Sequence, residues 1–210
     1  WLIAAVTAIG VLRILSVPLY YNYDEGVHMI FIQNLVPELQ DCLRYQHCER
    51  VIAPAGLGGD AYRGRVYYIP QAAVQLMLPA GTDAISRQYV ARLPSLVFNV
   101  IIVALAYFTV RELFPSTRLL AIAAAGSAGL MPSFFDIMSG VNLDAPAALV
   151  GSLIIYTLAR ILSRGMTWGR IAALILEAGV GYTLKGTVWP LFVAIAFCFW
   201  LLLPRRLRII

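Results

Sequence analysis

Residues 89–113 read YVARLPSLVFNVIIVALAYFTVREL, a stretch that is apolar almost throughout. An α-helix rises about 1.5 Å per residue, so about 20 apolar residues cross a hydrocarbon core about 30 Å thick. This stretch therefore predicts a transmembrane helix. The 210-residue chain is 60% hydrophobic and only 13% charged, which excludes an ordinary soluble domain.

Similar apolar runs recur along the chain and predict an all-α, polytopic transmembrane bundle of about six spans. We expect one transmembrane module over 1–210, a portion of a longer protein, with a long outer loop at about 20–88 between the first two spans. The fifth run is short and contains Glu177. The predicted spans cover about 1–19, 89–113, 119–138, 145–162, 171–184 and 188–203.

The basic residues of the short connections fall on one side of these spans, which sets an orientation. By the positive-inside rule their loops face the cytoplasm and 20–88 faces outward. The net charge of +5 indicates this orientation rather than nucleic-acid binding. We predict a multi-pass protein of the cell membrane whose active face lies outside the cytoplasm. The basic residues are Arg111, Arg118, Arg160, Arg164, Arg170, Arg205, Arg206 and Arg208.

Charged residues near the spans gather on the predicted outer side. Asp24 and Glu25 follow the first span, and His28 comes about one helical turn later. Titratable groups placed so close together are typical of a catalytic base or a metal ligand. The simpler interpretation is a hydrated loop start.

Two further carboxylates and a lysine fall on the same predicted side. Asp136 and Asp144 flank the turn between the third and fourth spans, and Lys185 lies between the last two. If these helices are neighbours, the groups share one outer pocket with Asp24. The alternatives are that Asp136 is a solvated helix end and that Asn142 or Asp144 caps the fourth helix.

The cysteines allow two interpretations. Cys42 and Cys48 lie close together in the predicted outer loop, where an oxidising compartment would permit a disulfide. A zinc site that uses His47 and Cys48 is the other possibility, although it lacks a second spaced pair of ligands. Cys198 lies within an apolar span.

Short motifs in consistent order resemble the amino-terminal half of the GT-C superfamily of glycosyltransferases, which includes protein mannosyltransferases and lipid A aminoarabinose transferases. Residues 67–71 depart from the His-Pro-Pro common in that family. The motifs are Tyr23-Asp24-Glu25 with His28, Tyr67-Tyr68-Ile69-Pro70, Ala91-Arg92-Leu93-Pro94-Ser95, and Met131-Pro132 through Asn142-Leu143-Asp144-Ala145 with Thr183-Leu184-Lys185-Gly186.

The resemblance implies transfer of a sugar from a polyprenyl-phosphate donor to an acceptor hydroxyl of a protein, lipid or glycan, with inversion. It implies that Asp24 is the catalytic base and that Glu25 or His28 orients it. Lys185 and Arg92 are expected to bind the donor phosphate. Asp144 is expected to position the donor or, with Glu25, to hold a divalent metal cation, the one cofactor we expect.

Two other classes of function compete with an enzyme. A transporter or lipid flippase would use the charged residues Arg13, Glu177 and Lys185 as a path through the bilayer, with Arg13 and Glu177 as a possible pair. A non-catalytic assembly subunit would keep the fold alone. Because most charges gather at one predicted face, the sequence favours the enzyme.

Overall fold

The computed structural model describes residues 1–19, 25–46, 48, 51 and 65–202. The predicted base Asp24, together with His47, Arg205, Arg206 and Arg208, lies outside them. All regular secondary structure in these residues is helical, which confirms the all-α class. Short 3-10 turns cover Arg65–Tyr68 and Gly186–Val188. The helices are α1 Leu2–Ser16, α2 Glu25–Tyr45, α3 Ile69–Leu76, α4 Ala84–Ala91, α5 Leu93–Leu113, α6 Arg118–Leu130, α7 Pro132–Met138, α8 Asp144–Arg164, α9 Trp168–Leu184 and α10 Pro190–Leu202.

Two of the described segments are long and apolar enough to cross a membrane by length and composition. They are Ala84–Leu113, which joins α4 and α5, and α8. These segments coincide with the second and fourth predicted spans. The helices at Leu2–Ser16, Arg118–Leu130 and Gly186–Leu202 are apolar but shorter. The six-span count therefore stays a prediction.

The third predicted span is not one continuous helix. Helix α6 ends at Leu130 and α7 begins at Pro132. Met131 between them has the extended angles φ −67° and ψ 121°. The residue before a proline is biased away from helical angles, which explains why the apolar run breaks there.

Helix α5 lies at the centre of the bundle and packs against α1, α6 and α8. Small residues let these helices approach closely. A Cβ atom added at Gly129 of α6 would lie 2.8 Å from Val103 Cγ2 and 2.9 Å from Val6 Cγ2. A separate buried cluster joins α5, α7 and α8 through Ile102, Met138 and Ala145.

The bundle has two ends that differ in their charged side chains. Helix α8 has 21 residues, so Asp144 and Arg164 are about 30 Å apart along its axis. We call one end the Glu25 end, which contains Glu25, Arg92, Asp144 and Lys185. We call the other the Arg164 end, which contains Arg111, Glu112, Arg164 and Arg170. At the second end, Arg164 Nη2 donates to Glu112 Oε2 at 2.7 Å and joins α8 to α5.

Gly181 of α9 supports the Glu25 end, because α9 there approaches the turn that follows Lys185. A Cβ atom at Gly181 would lie 2.6 Å from Val188 Cγ1 and 3.3 Å from Val150 Cγ1. We expect Gly181→Ala to reduce the free energy of unfolding by about 1–3 kcal/mol through overpacking. Thermal unfolding in detergent measures this change.

Gly179 of the same helix is the matched control, because a Cβ atom there would meet nothing within 4 Å. Gly179→Ala should be neutral or stabilise the protein by up to about 1 kcal/mol through helix propensity. Equal Tm values for the two variants would contradict the close approach at Gly181.

Asp83 caps α4, the helix that leads to Arg92. Its carboxylate accepts hydrogen bonds from the Ser86 amide at 2.9 Å and from the Ser86 hydroxyl at 2.7 Å. These bonds, the amide first, hold the pKa of Asp83 below its ordinary value of 3.8. A lowered folded-state pKa gives stability that is present above the unfolded pKa and is lost as the pH falls through the folded pKa.

Asp83→Ala should therefore lower the Tm at neutral pH, and its difference from wild type should shrink below pH 3.8. Asp41→Ala is the control, since Asp41 is an exposed carboxylate on α2. Thermal unfolding across this pH range tests the cap. A Tm difference for Asp83→Ala that does not change with pH would contradict it.

Candidate active site at the Glu25 end

A buried ion pair between Arg92 and Glu25 anchors the site. Arg92 lies at the break between α4 and α5, and Glu25 is the first residue of α2. Nε of Arg92 donates to Glu25 Oε1 at 2.7 Å, and Nη2 donates to Oε2 at 2.7 Å. Both residues are 0% exposed. A bidentate pair of this kind fixes both the position and the orientation of the carboxylate.

The rest of the Arg92 guanidinium binds the end of α1. Nη1 donates to the carbonyls of Ile14 at 3.1 Å and Val17 at 2.9 Å, and Nη2 donates to Pro18 at 3.1 Å. The last carbonyls of a helix have no partner within the helix, so Arg92 supplies one. Every N–H of the guanidinium thus has an acceptor.

This arrangement changes our interpretation of Arg92. The sequence predicted that Arg92 binds the donor phosphate. In the structure its hydrogen-bond donors are already taken by Glu25 and by the end of α1. The geometry favours a positioning role for Arg92 over phosphate binding.

Glu25 also contacts the turn between α7 and α8. The Val141 amide donates to Glu25 Oε1 at 3.3 Å, and Ser95 Oγ donates to the Gly140 carbonyl at 2.9 Å. The start of α2 is thereby fixed to α1, α5 and this turn together. Asp24, the chain neighbour of Glu25, lies outside the described residues, so its side chain is not placed.

Asp144 and Lys185 meet at the same end of the bundle. Lys185 Nζ donates to Asp144 Oδ1 at 2.5 Å, and the two side chains are 39% and 40% exposed. Asn142 Oδ1 accepts a hydrogen bond from the Ala145 amide at 3.0 Å, so Asn142 satisfies a backbone donor in the first turn of α8. Asp144 is therefore available for the pair with Lys185, which a ligand can reach from solvent.

Two other carboxylates differ from the sequence-based interpretations. Asp136 of α7 forms an ion pair with Arg13 of α1 and is more than a solvated helix end. The suggested pair of Arg13 with Glu177 is wrong. Glu177 instead accepts a hydrogen bond from Thr157 Oγ1 at 2.9 Å within the bundle.

Tyr67 and Tyr68 link α2, which begins at Glu25, to the end of α9, just before Lys185. The Tyr68 hydroxyl is hydrogen-bonded to His28 Nδ1, and the residue is 3% exposed. The Tyr67 hydroxyl donates to the Val180 carbonyl at 3.0 Å and lies 2.6 Å from Thr183 Oγ1. Adjacent residues therefore reach α2, one turn beyond Glu25, and the end of α9, just before Lys185.

Cys42 and Cys48 are joined by a disulfide, with Cα atoms 4.4 Å apart. The zinc interpretation is therefore wrong for Cys48, because its sulfur is bonded to Cys42. Cys198 is buried and free. The disulfide closes a short loop at the end of α2.

The divalent metal site expected at Asp144 and Glu25 stays a prediction. Within the described residues, no three His, Cys, Asp or Glu side chains come together. Arg92 binds Glu25, and Lys185 binds Asp144 through Oδ1. We derive no step through a metal.

The Arg92–Glu25 and His28–Tyr68 contacts were not predicted. A signal for the first existed, because a charged residue inside an apolar segment needs a partner of opposite sign. Arg92 lies inside the second predicted span and Glu25 follows the first, and the two residues are 67 positions apart. For His28 and Tyr68 we find no comparable signal.

Comparison with protein families gives a match over residues 74–210 to the family described as dolichyl-phosphate-mannose-protein mannosyltransferase. Arg92, Asp144 and Lys185 lie in the matched region, whereas Glu25 and His28 precede it. Searches of curated proteins and of solved structures found no match. Because the family match covers more than half of the chain, the protein belongs to the dolichyl-phosphate-mannose-protein mannosyltransferase family, which is of the GT-C type.

Proposed function

We propose that this protein transfers a sugar from a polyprenyl-phosphate donor to an acceptor hydroxyl, with inversion, at the outer face of the membrane. The observation that carries the proposal is the half-exposed Lys185–Asp144 pair, which lies in the family-matched region at the same end as the anchored start of α2. The Glu25 end is then the catalytic face. A donor whose lipid tail stays in the bilayer can present its phosphate and sugar there.

The proposed reaction is a single displacement at the anomeric carbon. Asp24 accepts the proton of the acceptor hydroxyl as its oxygen attacks. The bond between the anomeric carbon and the phosphate oxygen breaks, and its electron pair leaves with the polyprenyl phosphate. Attack opposite the leaving group inverts the configuration.

Lys185 is the proposed ligand of the departing phosphate. Its ammonium is a strong hydrogen-bond donor and offsets the negative charge that grows on the leaving group. Asp144 holds the ammonium in place through the 2.5 Å contact and keeps it directed to this end of the bundle. The partial exposure of both side chains lets a phosphate reach the lysine.

Glu25 and Arg92 have a supporting role. Arg92 neutralises the Glu25 carboxylate and also binds the end of α1. The Val141 amide donates a further hydrogen bond to Glu25. Asp24 is therefore joined in the chain to a residue whose side chain is fixed in position. His28, bonded to Tyr68, is the second candidate for orienting Asp24.

The direct test incubates the full-length protein in membranes with a panel of radiolabelled polyprenyl-phosphate sugars, mannose first. We expect the label to move to an acceptor in the preparation, with the anomeric configuration of the product inverted. Transfer with retention would overturn the single displacement. Transfer from no member of the panel would overturn the proposed activity.

Lys185→Met should lower kcat/KM for the donor by about 10- to 100-fold, because a charge-assisted hydrogen bond is worth about 1.5–3 kcal/mol. Lys185→Arg should recover part of the loss. The control is Arg118→Gln, which removes an exposed cation at the start of α6, near the Arg164 end. Steady-state transfer kinetics measure the change, and an unaltered kcat/KM in Lys185→Met would remove the lysine from the donor site.

A transporter or flippase is not favoured by the contacts. Arg13 pairs with Asp136, Lys185 with Asp144, and Glu177 with the Thr157 hydroxyl. These three residues therefore have separate partners and do not form one line of contacts through the bundle. The charge distribution fits a site at one end better.

A further inference from the structure

A pocket lies away from the proposed active site, between α2, α3 and the segment that leads into α4. Its volume is about 560 Å³, within the range of small-molecule sites. The polar side chains at its wall are two arginines and two glutamines, and leucines form much of the remainder. The residues that matter here are Gln40, Leu43, Arg44, Gln75, Leu78 and Arg87.

Backbone carbonyls hold the Arg87 guanidinium in place and leave one of its nitrogens available to a ligand. Nε donates to the Thr82 carbonyl at 3.0 Å, and Nη2 donates to the Pro79 carbonyl at 3.2 Å. Gln75, which is 4% exposed, donates through Nε2 to the Arg87 carbonyl at 2.6 Å. Nη1 of Arg87 has no hydrogen bond in the described part of the chain, so a ligand in the pocket can accept from it.

Arg44 supplies the second cation. Its guanidinium carbon lies 5.8 Å from the centre of the Tyr45 ring, and within the described residues it forms no hydrogen bond. No carboxylate is among the described residues that line the pocket. The pocket therefore has two positive charges, unused donors and no lining acid, which is the chemistry that binds a phosphate.

The depth of the pocket relative to a membrane follows from the segment Ala84–Leu113. Within it, helix α5 has 21 residues and spans about 31 Å, which matches a hydrocarbon core about 30 Å thick. Arg87 lies in α4, before the start of α5, and so falls at headgroup level. Leu43 and Met77, 72% and 82% exposed, place large apolar side chains beside the pocket.

We propose that this pocket binds the phosphate headgroup of an anionic phospholipid. The two arginines contact the phosphate, and the leucines of the wall contact the first part of the acyl chains. The contact would hold α2 and α3 against the membrane surface. Helix α2 carries Glu25 and His28, and α3 begins directly after Tyr68. The inference rests on the membrane orientation in the proposed function, but not on sugar transfer.

The test uses the full-length protein in detergent with a fluorophore on Met77→Cys, beside the pocket. Cys198 is buried, and Cys42 and Cys48 are bonded to each other. Among the described residues, the new thiol is therefore the one that the fluorophore can reach. Short-chain phosphatidylglycerol, short-chain phosphatidylcholine and inorganic phosphate are titrated separately. We expect saturable binding of phosphatidylglycerol, at least about tenfold tighter than of either other probe.

Arg44→Gln should weaken phosphatidylglycerol binding about tenfold without lowering the Tm, because Arg44 has no hydrogen bond to lose in the described structure. Arg118→Gln, with the same charge change near the other end of the bundle, should leave the fluorescence titration unchanged. Equally tight binding of inorganic phosphate would show a site for soluble anions and overturn the lipid assignment. Equal binding of phosphatidylcholine, or no saturable response, would also overturn it. Sugar transfer is measured separately, so its failure and the failure of this site are distinguishable.

Discussion

Asp24→Asn is expected to reduce the rate of sugar transfer by about 10²- to 10⁴-fold, the usual contribution of a general base. The amide of asparagine cannot accept the proton of the attacking hydroxyl, although it is nearly the same size as the carboxylate. Since Glu25 and Arg92 still anchor α2, the protein should stay folded. Transfer kinetics and thermal unfolding of the same preparation separate a loss of chemistry from a loss of structure.

Asp41→Asn is the matched control for this prediction. Asp41 is an exposed carboxylate in the same helix as Glu25, farther along α2. We expect its transfer rate to equal that of wild type. If Asp24→Asn and Asp41→Asn were equally active, Asp24 would not be the base.

Arg92→Met should destabilise the protein by about 3–5 kcal/mol, the cost of breaking a buried ion pair. The substitution leaves Glu25, which is 0% exposed, without its cation in an apolar interior. It also removes the donors of the carbonyls at the end of α1. We expect a large fall in Tm in detergent.

Arg118→Met is the control, because Arg118 is an exposed residue at the start of α6, away from the buried pair. A surface substitution of this kind usually changes stability by less than about 0.5 kcal/mol, so this variant should lose little. Equal losses of stability in the two variants would contradict the anchoring role of Arg92. A stable but inactive Arg92→Met would instead favour direct contact with the donor.

The helical class and two of the apolar segments followed from hydropathy, because length and composition alone decide whether a helix can cross a bilayer. Local breaks were harder to predict. The helix that ends at Leu130 stops because of a single residue before a proline, and a hydropathy window averages over that position. Helix α2, Glu25–Tyr45, lies within the stretch for which hydropathy predicted only a long outer loop.

Part of the site followed from the order of charges along the chain. Asp144 and Lys185 were expected to share a pocket, and the structure places them in direct contact. The role of Arg92 did not follow, because its acceptors come from α1 and α2 and are more than 65 positions away in sequence. Such contacts depend on how the helix ends converge, and no local pattern encodes that convergence.

The central claim is that the sugar donor reacts at the Glu25 end of the bundle. The most direct measurement uses a polyprenyl-phosphate analogue with a photoreactive sugar, cross-linked to the full-length protein in membranes and mapped by mass spectrometry of peptides. The account predicts labelled peptides that contain Asp24, Asp144 or Lys185, with labelling suppressed by excess natural donor. Suppressible labelling confined to peptides around Arg111 and Arg164 would contradict it.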